Sequence, residues 1–372
     1  MSSPRSRPSV SPPRLTGTPV RRVIRVAVVL AAVSVALVPV PRPAPHPLEV
    51  AAARDVGRLV QPSRWLRDGG QTAVVGSRIL WTFGDTIFPD PAVDGSHLRS
   101  NSAAWSDPRD PTRVEDPVED GGAPIQFIPF ESDEAAYNQG TGRGDDRIAL
   151  WPLSAISLSE GTATVFFQAI EVLPGPLNNQ AIGSGIATAV PTAAVAARDT
   201  ALLFRAPEPS FGSGAVRVGG FVFVHACGPM EGLLFGCRVA RVPARDIHVR
   251  SAYRFWDGSR WTADVRAAVF TLRGPSGGLS VSWNQWLGRY LAVYNQGLTN
   301  RFMCRTAPRP QGPWSRPVLA FTGRATPPGT VNYAAFEHPE LARGGGRTVT
   351  ISYFHPLGPL AGEIRLVEVT FA

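Results

Sequence analysis

Asp68-Gly69-Gly70-Gln71-Thr72-Ala73-Val74-Val75-Gly76-Ser77-Arg78-Ile79-Leu80-Trp81-Thr82-Phe83-Gly84-Asp85-Thr86 reads as two apolar, partly alternating runs joined at a Gly-Ser turn, which is the signature of a β-hairpin. The unit recurs. Arg78–Phe83, Thr164–Ala169, Phe221–Ala226, Arg289–Tyr294 and Arg347–Tyr353 are each the second run of such a pair. They follow Gly76, Gly161, Gly219-Gly220, Gly288 and Gly344-Gly345-Gly346. The units are spaced by roughly 55–85 residues, longer than the regular propeller repeats of 40–50 residues. Stretches with helical period are hard to find. The expected fold class is all-β, a five-bladed β-propeller with an axial funnel; a sandwich, also built of short strands, is the competing reading. Blades are expected to start near Asp68, Arg147, Gly212, Leu279 and Ala335. The segment Asp55–Val60 is expected to pair with Ile364–Phe371 and close the ring, removing a sheet edge.

The first hairpin also holds the first candidate chemistry. With the turn centred on Gly76-Ser77, partner numbers add to 153, so Asp68 faces Asp85. Opposed residues have Cβ atoms about 4.5–5.5 Å apart, and like charges there are unfavourable. A paired-carboxylate site gives such a pair a purpose, because one ionised group raises its neighbour's pKa and leaves an acid and a base near neutral pH. The competing reading is that Gly69-Gly70 shifts the register by one and separates the two acids. Further polar residues stand at corresponding ends of other hairpins. Glu134 and Asn138 precede blade two, Glu208 precedes blade three, and Glu337-His338-Pro339-Glu340 opens blade five. Inner strands line the funnel, so these groups are candidates to converge there, although a lone Glu before a strand is more often a solvated loop residue and His338 equally a core histidine. Trp283, Trp286 and Tyr290 offer either sugar-stacking or core surfaces. Phe255–Trp261 reads as an outer hairpin turning at Asp257-Gly258. Gly140–Gly144 has neither the β-α context nor the Lys of a phosphate loop.

The N-terminal region reads differently. Met1–Arg25 is rich in Ser, Pro and Arg, Val26–Val38 is an uncharged apolar run, and Ala51-Ala52-Ala53 offers a cut site. Residues 1–53 are therefore expected to be an export signal with a Pro-rich linker, and 54–372 a single propeller domain. The apolar run is short for a bilayer span, and a retained membrane tether through 26–38 is the alternative. The chain's net charge is +8; residues 1–53 hold seven Arg and one Glu, which leaves about +2 for the rest. The basic balance therefore argues for no nucleic-acid partner. Outside the cell a disulfide is permitted, and Cys227 and Cys237, flanking a loop, are the expected pair; Cys304 is expected to be a core thiol. Cys/His spacing suggests no metal, and the sequence requires no cofactor. A monomer is expected.

At this point the chain resembles a known group. Asp68-Gly69-Gly70 … Leu80-Trp81-Thr82-Phe83-Gly84-Asp85-Thr86-Ile87-Phe88 is similar to the opening signature of a bacterial five-bladed propeller family long known only as a domain of unknown function, which includes endo-D-arabinanases. Ser100-Asn101-Ser102-Ala103, Pro129-Phe130 … Glu134 … Asn138, Ala149-Leu150-Trp151-Pro152, Arg305-Thr306-Ala307 … Gly312-Pro313-Trp314-Ser315 and His338-Pro339-Glu340-Leu341 are also similar. The resemblance implies a secreted glycoside hydrolase acting on a furanose-containing polysaccharide, with arabinan favoured. Asp68 and Asp85 match the acids of the opening motif, and Glu134 and Glu208 compete for the third. Asn101, Asn138, Trp283, Glu337 and His338 are the candidate substrate-binding residues. A carboxylate separation of about 5–5.5 Å would favour retention and about 6.5–9.5 Å inversion. A non-catalytic carbohydrate-binding or scaffold propeller is the alternative.

Overall fold

The computed structural model describes residues 46–62, 64–140, 146–175, 178–230 and 234–372. Five antiparallel sheets form the blades of a β-propeller. Each runs outward from an inner strand: Leu66–Val75, Arg147–Ser159, Gly214–Val218, Pro275–Asn284 and Tyr333–Arg343. These starts lie within a few residues of those expected. The inner strands pack against one another in ring order, one to two, two to three, three to four, four to five, and five back to one.

Alternation explains why the ring holds. Successive side chains of a strand point to opposite faces, and here both faces of a blade meet a neighbouring blade. In blade two, Phe167 packs with Leu80, Trp105 and Leu150 against blade one, while Phe166 packs with Phe211, Val222 and Phe255 against blade three. In blade one, Leu80 faces blade two and Trp81 packs with Ile364 and Leu366 of blade five. Two further apolar clusters fill the gaps from blade three to four and from four to five. Burial on both faces is why the central strands read as near-continuous apolar runs.

Closure follows the expected pairing but begins earlier. The strand Val50–Arg58 pairs antiparallel with Ala361–Phe371, from Val50 opposite Phe371 to Arg58 opposite Arg365. Ala51–Ala53 thus belong to a blade and not to the linker that the composition suggests. Among the described residues the strand is hydrogen-bonded along one edge only, so most of its side chains stand exposed and show no alternation. Arg54 bridges to Glu368 at 2.8 Å, and Asp55 pairs with Arg365. The apolar run 26–38, and with it the export and tether readings, lies outside the described residues. So does most of Gly140–Gly144.

Three local expectations match. Cys227 stands opposite Cys237 and is disulfide-bonded to it. Cys304 is a buried thiol that donates to the Val318 carbonyl, and burial pushes its pKa up to about 12. The outer hairpin turns at Asp257, whose carboxylate accepts from the Ser259 and Arg260 amides at 2.8 Å.

Candidate active site

The site begins with an irregularity in the first hairpin. Leu66 opposite Ile87 and Arg67 opposite Thr86 keep the expected register, as do Gln71 opposite Thr82 and all pairs down to the turn. Between them Gly69 faces Phe83, so the strand bulges over Gly69-Gly70 and its partner compensates over Gly84-Asp85. Gly69 at φ +90° and Gly70 at φ +106° occupy backbone that side chains resist, which is what the bulge demands. Both competing register readings are thus partly met: the glycines do slip the register, and the partner restores it. Asp68 ends up facing the Gly84-Asp85 step. A Cβ on Gly84 would collide with Asp68 Oδ1, so the Phe83-Gly84-Asp85 sequence leaves room for the opposing carboxyl.

The flanks of the bulge are pinned. Arg67 is buried, donates to Asp116 at 2.7 Å and to Gln61 at 3.0 Å, and lies 3.8 Å from the Phe83 ring centroid. On the opposing strand Thr86 donates to the Gly84 carbonyl at 3.0 Å and shares a 2.7 Å hydrogen bond with Ser102.

The two acids have different company. Tyr333, at the start of blade five's inner strand, donates its hydroxyl to Asp68 Oδ2 at 2.6 Å. Asp85 accepts from Arg147 at 2.5 Å and from Trp151 Nε1 at 2.9 Å, both on the inner strand of blade two. Burial pushes the Asp68 carboxyl up to about 7, the charge of Asp85 adds to the rise, and the Tyr333 hydrogen bond opposes it. Three blades thus build one cluster in which Asp68 titrates near neutral pH beside a carboxylate held by a cation and an indole.

The remaining sequence candidates disperse. Glu134 lies on the helix Ser132–Gln139, closes a capping box with Glu131, and is clamped by Arg198 at 2.5 and 2.9 Å. Glu208 is bound by Arg250 at 2.6 Å, in a cavity on blade three. Each carboxylate neutralises an arginine, and neither joins Asp68. Asn101 is fully buried and gives its amide to the Leu150 and Ile128 carbonyls while accepting from the Ile128 amide, so nothing of it is left for a ligand. Asn138 makes a reciprocal pair with the backbone of Ile148 at 3.0 and 2.7 Å. Both are structural asparagines.

Glu337 and His338 sit inside the ring, four and five residues along the strand from Tyr333, at most about 13 Å on for Glu337. They do not open blade five, which starts at Tyr333. His338 is fully buried; its Nδ1 shares a 2.7 Å hydrogen bond with Thr72, and its ring lies 4.8 Å from that of Trp81. It is the core histidine of the competing reading. Glu337 accepts from Ser282 at 2.6 Å, and burial holds its carboxyl at about 7. Glu337 and Glu340 line an axial cavity of about 520 Å³, and Trp283, 46 % exposed and edge-on to Tyr290, lines it too.

Tyr333, Arg147 and Trp151 were not singled out as site residues from the sequence. Trp151 was visible only as part of a motif and Arg147 only as a strand start. Tyr333 carried no signal.

Comparison with known proteins now bears on this geometry. Residues 188–356 match a domain of unknown function (DUF4185), in keeping with the resemblance read from the motifs. The match runs from the end of blade two into blade five and leaves out the hairpin that carries Asp68 and Asp85. No curated protein matches the chain. Solved structures share the ring. A protein of Bacteroides ovatus ATCC 8483 aligns with TM-score 0.58 and 15 % identity, covering 84 % of this chain and 87 % of its own. The GH43_1 enzyme of Xanthomonas citri aligns at 0.50 and 14 %, covering 86 % and 91 %. Zg3597, a family 117 glycoside hydrolase of the marine bacterium Zobellia galactanivorans, aligns at 0.50 and 10 %, covering 86 % and 90 %. At these identities the likeness establishes the five-bladed fold; function rests on the site.

Proposed function

We propose that this chain is a secreted glycoside hydrolase that cleaves a furanose-containing polysaccharide, arabinan being the favoured substrate. The observation that carries the reading is the Asp68–Asp85 pair, in which burial and a neighbouring charge bring Asp68 to about 7. Glycoside hydrolysis needs a proton donor at the leaving oxygen and a second carboxylate against an oxocarbenium-like transition state. Asp68 is the proton-transfer group, and Tyr333 orients it. Asp85, held by Arg147 and Trp151, supplies the standing negative charge. Glycoside hydrolases built on the same five-bladed ring support the assignment. The Cys227–Cys237 disulfide supports an oxidising compartment, as does the reading of residues 1–53 as an export signal.

The test is release of reducing ends from arabinan and from a panel of other cell-wall polysaccharides. Asp68→Asn and Asp85→Asn are each expected to abolish release. Undiminished cleavage by both variants would sink the assignment. One observation favours a second reading: both Asp85 oxygens are already engaged, as in a structural ion pair. A non-catalytic glycan-binding propeller would show no cleavage by the unmodified chain and an affinity that survives both substitutions.

A further inference from the structure

We propose that an arginine-lined cleft between blades three and four binds an anionic group, a carboxylate or a phosphate, on the glycan, so that the substrate is an acidic polysaccharide. This rests on the glycan-directed reading above and adds a substrate class to it. The cleft has a volume of about 640 Å³, and its lining includes Met230, Leu234, Phe235, Arg273, Arg301 and Arg305. Among the described residues no Asp or Glu lines it. Arg273 and Arg301 are exposed and, among the described residues, make no ion pair. Arg305 is held rigid, donating to the Tyr294 hydroxyl at 2.9 Å and to the Ser315 carbonyl at 3.2 Å. The pattern contrasts with the other arginine-rich places of the ring. Arg99 takes two acids, and Arg198 and Arg250 one carboxylate or more each.

The cleft continues. Met230, Leu234 and Arg273 also line a second cavity of about 390 Å³, which adds Arg238 stacked 3.7 Å from the Phe270 centroid. Four guanidinium groups therefore follow one groove in a domain whose residues 54–372 carry a formal charge of only about +2. Planar guanidinium forks match carboxylate and phosphate oxygens two at a time, and the apolar wall gives the rest of a sugar a surface to lie on.

The groove is placed to serve the Asp68 cluster. Gly274 lines the cleft and Gly277, three residues on, packs against Tyr333. Three residues of chain span at most about 10 Å. A chain whose anionic group sits on Arg273 and Arg301 can therefore reach Tyr333 and Asp68 with neighbouring sugars.

The experiment is isothermal titration of the full chain carrying Asp68→Asn, which keeps the polymer intact. The probes are polygalacturonate, a phosphodiester-linked mannan and neutral arabinan, each at low and physiological salt. At least one acidic polymer is expected to bind tenfold or more tightly than arabinan, and more weakly as salt rises. Which acidic polymer binds identifies carboxylate or phosphate as the recognised group. Adding Arg273→Gln and Arg301→Gln together is expected to cost about a hundredfold for that polymer, roughly tenfold per arginine, and to leave arabinan unchanged. Both side chains are exposed, so the double variant keeps its fold, checked by an unchanged melting temperature. Equal affinity for all three polymers, or acidic-polymer binding untouched by the double substitution, would overturn the inference. A chain that binds acidic glycan through these arginines but hydrolyses none refutes only the hydrolase reading; one that cleaves neutral arabinan without preferring acidic polymers refutes only this one.

Discussion

Asp68 at the start of the inner strands and Glu337 inside the ring both hold a proton up to about pH 7, and burial is the first cause in each case. Their surroundings differ. Asp68 has a second carboxylate beside it, a phenol donating to it, and a cation and an indole fixing its neighbour. Glu337 has serines and a second acid: Ser282 donates to its carboxylate at 2.6 Å, its own amide donates to Ser280 at 2.8 Å, and the charge of Glu340 adds to the rise. A displaced pKa therefore marks burial at both places. Each also has a like charge nearby, Asp85 for Asp68 and Glu340 for Glu337, but only at the first is that neighbouring carboxylate held by a guanidinium and an indole while a phenol orients the titrating acid.

The sharpest way to break the contrast is to neutralise each acid in turn. Asp68→Asn is expected to lower kcat by about 10²–10⁴-fold, whereas Glu337→Gln should leave kcat within a few-fold. Equal losses would erase the distinction. Next in size is Gly84→Ala, whose methyl would displace the Asp68 carboxyl; a shift of about 1 Å in a reacting group can cost about 100-fold, seen here as a fall in kcat with little change in melting temperature. Tyr333→Phe removes a hydrogen bond that lowers the Asp68 pKa. Its expected effects are a kcat loss of about tenfold and a pH–rate limb displaced to the alkaline side; an acidic displacement would contradict the role given to Tyr333.

The smallest effect is on stability. The folded Glu337 carboxyl titrates at about 7 against an ordinary glutamate value of 4.5, so the native state binds this proton more tightly than the unfolded chain does. Its contribution is fully present below about pH 4.5 and is lost as pH rises through 7. Glu337→Gln, which cannot titrate, should narrow the gap in melting temperature between pH 5 and pH 8 by a few degrees. Thermal melts at the two pH values check this.

The ring was legible in the sequence because its signals are local. Gly76, Gly161, Gly219-Gly220, Gly288 and Gly344–Gly346 punctuate runs whose two-faced burial shows as apolar density. That Asp68 comes to lie against the Gly84-Asp85 step was legible for the same reason, since the hairpin turn sets the register on both sides of the Gly69-Gly70 bulge. The rest of the cluster was not, because Arg147 and Trp151 reach Asp85 from 62 and 66 residues away, and Tyr333 reaches Asp68 from 265. Glu134 and Glu208 misled for the converse reason. Their partners Arg198 and Arg250 lie 64 and 42 residues on, and nothing local to either glutamate announces an ion pair. Asn101 belongs to a motif that marks a fold position: its amide ties blade one to the Leu150 carbonyl of blade two.

The closing strand has a consequence for how the protein must be handled. Val50–Arg58 covers the outer edge of Ala361–Phe371, and it is itself exposed along most of its length. A protease cut at Ala51–Ala53 would strip the first pairs and leave Val369–Phe371 with bare amides and carbonyls. Uncovered edges of that kind recruit other strands, a second copy of the chain included. A preparation begun at residue 54 would accordingly be more prone to self-association than one that keeps Val50, whatever its activity. The first few residues of the ring thus act as a guard on its outermost edge.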